Sequence, residues 1–198
     1  MTRAFSPRTF NPRSWSSRAL AGPAGGVVTV STHYRLLVAV GEDIKTTLIG
    51  AGLMPGHSAS RVIVRKVPYV SDIGTPKSGS TKTYALPAIV VCPGVNEQFL
   101  FGTNERDDIG YPVNVLLLDA DSSPDNMTDQ HLGWRERITE RYIHPKHYFV
   151  APSPAGDIVF HDCNIEPGPI VDYPRWIGME MFVSLIGLRF FTRHSRNN

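Results

Sequence analysis

The feature that most limits what this chain can become is its last long apolar stretch, Gly178 to Thr192. Read as an extended segment, it places Phe182, Ser184, Ile186, Leu188 and Phe190 on one face and Met181, Val183, Leu185 and Arg189 on the other. Its most apolar part, Met179 to Leu188, is interrupted by Glu180, Ser184 and Gly187 and falls short of the ~18–20 residues that a membrane span needs. The stretch therefore reads as a long strand. A second buried strand is predicted over Tyr111–Leu118, with shorter ones over Arg61–Val67, Leu86–Val91 and Ile158–His161. Pro87 marks the start or the edge of its strand.

Helical periodicity is confined to two places. Leu37, Val40, Ile44 and Leu48 recur at helical spacing between Ser31 and Leu53, with Ser31 or Thr32 as the N-cap and Gly50, Gly52 and Pro55 as the stop. Leu132, Trp134, Ile138 and Tyr142 mark a second helix from Gln130 to Ile143, capped by Asp129 and ended by His144-Pro145. Polar or Pro/Gly-rich connections run over 71–82, 119–129 and 152–174, in keeping with 17 Gly and 16 Pro, which favour turns over long helices. The order helix, strands, helix, strand predicts one α+β domain over residues 31–198, an antiparallel or mixed sheet with helices packed on one face. A domain of this size buries enough surface to need neither metal nor disulfide. Cys92 and Cys163 are expected as reduced, buried thiols of a cytosol-like compartment.

Residues 1–30 are of another kind. Arg3-Ala4-Phe5-Ser6-Pro7, Arg8-Thr9-Phe10-Asn11-Pro12 and Arg13-Ser14-Trp15-Ser16-Ser17 repeat one pattern, Arg18 begins a fourth unit, and no acidic residue precedes Glu42. Pro7 and Pro12 forbid a continuous helix, which disfavours an amphipathic targeting peptide, and 21–26 read as a flexible hinge. The segment is expected to be an extended arm that orders on a partner. Its contact residues would be Arg3, Phe5, Arg8, Phe10, Arg13, Trp15 and Arg18, because Arg and aromatic side chains concentrate binding energy at interfaces. The same residues give the alternative reading, a nucleic-acid-binding accessory protein, since aromatics stack on bases and Arg meets phosphate. A net charge of only +2 makes nucleic acid the less favoured partner.

The sequence gives catalysis little material. Asp119, Asp121 and Asp125 resemble the start of a calcium loop, but Pro124 stands where the sharp-turn Gly belongs and Gln130 replaces the bidentate acid. His144, His147, His161 and Cys163 lack the paired spacing of a zinc site. Ser78-Gly79-Ser80-Thr81-Lys82 lacks phosphate-loop spacing, no Gly-x-Ser-x-Gly occurs, and no base is assignable to Cys92. A metal-dependent hydrolase is accordingly an alternative only; no catalytic residue, cofactor or metal is expected. Glu105-Arg106-Asp107-Asp108, before Gly110 and Pro112, is expected as an exposed turn in which Arg106, Asp107 and Asp108, with Lys77 and Lys82 of the 71–82 loop, meet neighbouring subunits.

The order of elements resembles a known family. A leading helix, then strands, Leu86–Val91, Arg106-Asp107-Asp108-Ile109-Gly110-Tyr111-Pro112-Val113 entering a hydrophobic strand, a helix bearing Trp134-Arg135 and a long final strand look like the head–tail joining and tail-terminator proteins of long-tailed bacteriophages. The resemblance covers roughly Thr32 to Thr192; the arm and the Pro-rich 152–174 interval depart from it. It implies a structural virion protein of the tail or neck, present in host cytoplasm during assembly. Its partners would be further copies of itself in a ring, expected as a hexamer, and other phage neck or tail proteins, with no membrane partner.

Overall fold

A computed structural model of the chain describes residues 31–68, 70, 72–73, 85–103, 106–120, 124–143, 149–152, 156–166, 168–172, 174 and 181–195. Helix α1 (Thr32–Asp43) starts at Ser31, whose hydroxyl accepts from the Tyr34 amide at 3.2 Å. It continues as a π-helical segment, Ile44–Ile49, closed by Gly50. Leu36, Leu37, Val40, Ile44 and Leu48 form its buried stripe, as the periodicity predicts. Gly41 lets this helix lie on the sheet: a Cβ there would come within 2.6 Å of a Val64 methyl.

The strands are β1 (Val62–Val64), β2 (Ala88–Pro93), β3 (Gln98–Thr103), β4 (Arg106–Ala120), β5 (Phe149–Ala151), β6 (Ile158–Phe160), β7 (Asp162–Glu166) and β8 (Met181–Ser195); helix α2 (Pro124–Ile143) stands between β4 and β5. The main sheet runs β1-β2-β4-β8-β7, with β3 also on β4, and β5–β6 form a separate hairpin. Only the β1–β2 pairing is parallel among these, so the sheet is mixed and the fold is α+β. β4 and β8 pair along their whole fifteen-residue lengths, from Arg106↔Ser195 to Ala120↔Met181.

Both faces of the sheet are covered, as the two apolar faces of β8 require. One core gathers Leu36, Leu37 and Val40 of α1, Trp134, Ile138 and Tyr142 of α2, and Ile186, Leu188 and Phe190 of β8, together with Ala151 and Phe160 of the hairpin. Both helices therefore lie on one face. The other core joins Val90, Leu116, Leu118, Met181 and Val183 to Val70 and Ile73. Ile73, the one apolar anchor of the 71–82 segment, is fully buried; apart from Asp72 and Ile73 that segment lies outside the described residues.

Several expectations are corrected. Arg106, Asp107 and Asp108 belong to β4 rather than to a turn, because β3 pairs with this end of β4 (Leu100↔Asp108, Phe101↔Asp107) and extends the ladder past Tyr111. Helix α2 begins at Pro124, not at Gln130, so Asp129 is an internal helical residue; Pro is tolerated in a first turn, where its missing amide hydrogen has no acceptor to lose. Of the supposed 119–129 linker, 119–120 belong to β4 and 124–129 to α2, and β7 occupies ground read as loop. Pro112 sits inside a central strand without breaking it. Its carbonyl accepts from the Gly94 amide at 2.9 Å, and a residue's N and O point to the same side of a strand, so its missing donor falls at the turn between β2 and β3.

Candidate functional site

β2 and β3 lie end to end along one edge of β4, joined by residues 94–97. This turn is held from several sides. Asn96 takes the left-handed conformation (φ 62°), and its carbonyl accepts from Arg189 Nη1 at 3.0 Å. Arg189 also pairs with Glu166 of β7. His33, in the first turn of α1, places Nε2 2.8 Å from the Pro112 carbonyl oxygen and Nδ1 3.7 Å from Glu97 Oε1. Tyr111 packs at a tilt on His33, and burial with the nearby Glu97 raises its hydroxyl pKa.

Beyond this anchored turn, β3 runs along the end of β4 with apolar side chains in water. Val95 is 76 % exposed, Phe99 61 % and Leu100 42 %. Phe99 and Leu100 are consecutive and so lie on opposite faces, which means that β3 carries an exposed apolar side chain on each face. Among the described residues no strand pairs with the outer edge of β3, whereas β1 covers the corresponding edge of β2. An open edge with exposed apolar side chains is a surface for adding another strand.

The charged residues complete this end. Leu100, Asp108 and Arg193 form one row across β3, β4 and β8. Asp108 accepts from Arg193 Nε at 3.0 Å, a bond that holds its carboxyl below the usual range, and His161 Nε2 stands 3.8 Å away. Asp107 lies opposite Phe101 and His194 in register. Arg106 is placed on β4 by its backbone, opposite Ser195. Of the residues expected to make contacts, the structure thus brings Arg106, Asp107 and Asp108 together beside β3. Lys77, Lys82, Arg3, Phe5, Arg8, Phe10, Arg13, Trp15 and Arg18 lie outside the described residues. β3 itself was missed by sequence reasoning; the signal was Phe99-Leu100-Phe101, a short apolar run with the turn-former Gly94 before it.

A second cluster is buried where α2 crosses β4 and β8. His57, Trp134, His131 and Phe182 stack successively at ring-centroid distances of 4.9, 4.9 and 4.4 Å. His131 is 1 % exposed, with Nε2 3.0 Å from the Asp119 carboxylate. Trp134 Nε1 donates to the Pro55 carbonyl at 3.2 Å. Burial pulls the His57 pKa down to about 4, and its Nδ1 has no hydrogen-bond partner. Asp119, the first acid of the supposed calcium loop, is therefore bound to a core histidine. Asp125 is on α2, and Asp121 lies outside the described residues. These rings lock α2 to the loop after α1.

The metal candidates do not converge among the described residues: no three His, Cys, Asp or Glu side chains group as a ligand set. Cys163 is buried, and burial beside Asp162 pushes its thiol up to about 12, so at neutral pH the thiol is protonated. His144 and His147 lie outside the described residues. Cys92 is buried and unbridged. Among the described residues no helix is long and apolar enough to cross a membrane. Comparison of the chain with protein-family models and with curated proteins finds no match.

Proposed function

We propose that this chain is a structural assembly subunit, of the kind that forms a ring at the head–tail junction or tail end of a long-tailed phage. The observation that carries the reading is the open edge of β3 with Val95, Phe99 and Leu100 in solvent, at the end of a sheet that is otherwise covered on both faces. A monomer gains nothing from exposing consecutive large apolar side chains on a free edge; a subunit that meets a neighbour there does. An edge that meets a different surface on the next copy is a heterologous contact, and such contacts close into rings when the rotation between copies permits. The resemblance in element order supplies the phage setting.

The test is the double substitution Phe99→Asp with Leu100→Asp. Both side chains are exposed, so the melting temperature should stay within a few degrees of wild type while the assembled form gives way to monomer. A variant that keeps the wild-type mass distribution removes β3 from the interface and with it the basis of this reading.

A further inference from the structure

We infer that the occupant of the β3 edge is the N-terminal arm of a second copy of this chain, which adds a short strand to β3. The inference rests on the assembly reading and names the partner surface within it.

Residues 1–30 lie outside the described structure, but the point where the chain enters the domain is defined. Ser31 caps α1, and His33, two residues on, stands 3.7 Å from Glu97, the residue before β3. The arm therefore leaves its domain beside the β2–β3 turn. Its chemistry suits an edge of this composition. It carries Arg3, Arg8, Arg13 and Arg18 and no acid, and the half-exposed Glu97 stands at the start of β3. Its aromatics, Phe5, Phe10 and Trp15, recur every five residues. Five extended residues span about 17 Å, so a single aromatic of the arm at a time falls beside the adjacent Phe99 and Leu100 that β3 exposes, one on each face. Pro7 and Pro12 lack the amide hydrogen that strand pairing uses, which confines continuous pairing to the four residues between them, Arg8–Asn11, with Phe10 among them.

The reach of the arm assigns it to a neighbour. Residues 19–30 separate the last repeat from the helix cap. Twelve extended residues span about 40 Å, close to the diameter of a domain of this size, whose radius of gyration is about 15 Å. Reaching β3 of the same copy, which begins next to Glu97, requires almost none of that length. Reaching the corresponding edge of an adjacent copy uses it.

A mixing experiment decides the matter. One partner is the chain without residues 1–25, with β3 intact. The other keeps the arm but carries Phe99→Asp and Leu100→Asp. Each alone should be monomeric by light scattering, with a circular-dichroism spectrum and melting curve like the full chain, and an equimolar mixture should form a 1:1 dimer that grows no further. If the mixture stays monomeric, or if either partner alone still assembles as the full chain does, the arm does not dock on a neighbour's β3, and the inference is overturned. Docking of the arm on its own β3 would appear as a monomeric mixture together with a monomeric full chain, which also removes the assembly reading. A full chain that assembles beside a mixture that does not would leave that reading standing and sink this one alone.

Discussion

His57 offers the sharpest quantitative test of the packing at α2. In the folded chain its pKa is lowered from 6.5 to about 4, first by burial, with Arg61 and His131 adding to the effect and the Ser58 backbone and Asp119 opposing it. Trp134 packs edge-on against the ring, and Nδ1 finds no partner. A histidine whose folded pKa lies below its unfolded value binds a proton more readily when unfolded. Its neutral, buried state is therefore fully tolerated above pH 6.5, and stability falls as the pH drops from 6.5 towards 4. One pH unit between the two values corresponds to about 1.4 kcal/mol. Allowing for the ring's partial contact with water, the loss is about 2–3 kcal/mol. The assay is urea denaturation of the wild type and of His57→Leu at pH 7.5 and pH 4.5, so that carboxylates titrating in both proteins cancel in the difference. The wild type should lose most of that 2–3 kcal/mol relative to the variant over this interval. An NMR titration that puts the His57 pKa at 6 or above, or a difference in stability that does not change with pH, would refute the reasoning.

Three further outcomes follow from named contacts. Asp43 accepts from Arg141 at 3.0 and 2.8 Å, from the buried Tyr142 hydroxyl at 2.9 Å and from Thr47 at 2.9 Å, joining α2 to the end of α1. Asp43→Ala should cost about 2–3 kcal/mol and lower the melting temperature by about 4–12 °C, whereas Tyr142→Phe should cost about 1 kcal/mol; calorimetry distinguishes them. A Cβ at Gly110 would lie 2.7 Å from a ring atom of Phe191 and 3.0 Å from Arg189 Cδ, so Gly110→Ala should destabilise by about 1–3 kcal/mol, read as a lower urea midpoint. Cys163, with its thiol near 12 and its side chain buried, should react with iodoacetamide on the order of a hundredfold more slowly in the folded chain than in urea, as followed by mass spectrometry.

What the sequence disclosed depended on how each residue is held. The α1 stripe and both faces of β8 were legible because single, repeated periods govern them: Leu37, Val40, Ile44 and Leu48 on the helix, and alternating Ile186, Leu188 and Phe190 on the strand. β3 and the first part of β4 were not, because no period marks them. Gln98, Phe99 and Leu100 are all exposed, so these consecutive positions give no alternation, and Asp107 and Asp108 look like turn residues until the partner strand is known. The start of α2 was obscured by Pro124, which reads as a breaker in the middle of a helix and as a starter in its first turn. The Asp119–His131 pair was hidden by sequence distance. It joins the end of a strand to the middle of a helix, and only the crossing of α2 over the sheet brings the two together. The candidate edge was thus the least legible part, since the open side that makes it a binding surface is also what deprives it of a pattern.

The central claim is that copies of this chain assemble into a closed ring. Native mass spectrometry of the purified full-length protein over a hundredfold range of concentration measures this directly. The account predicts one dominant closed species at an integral multiple of the 21.9 kDa chain mass, with six copies the expected number, and rotationally symmetric rings in electron micrographs of the same sample. A protein that remains at 21.9 kDa throughout, or that grows into polymers with no preferred size, would contradict it.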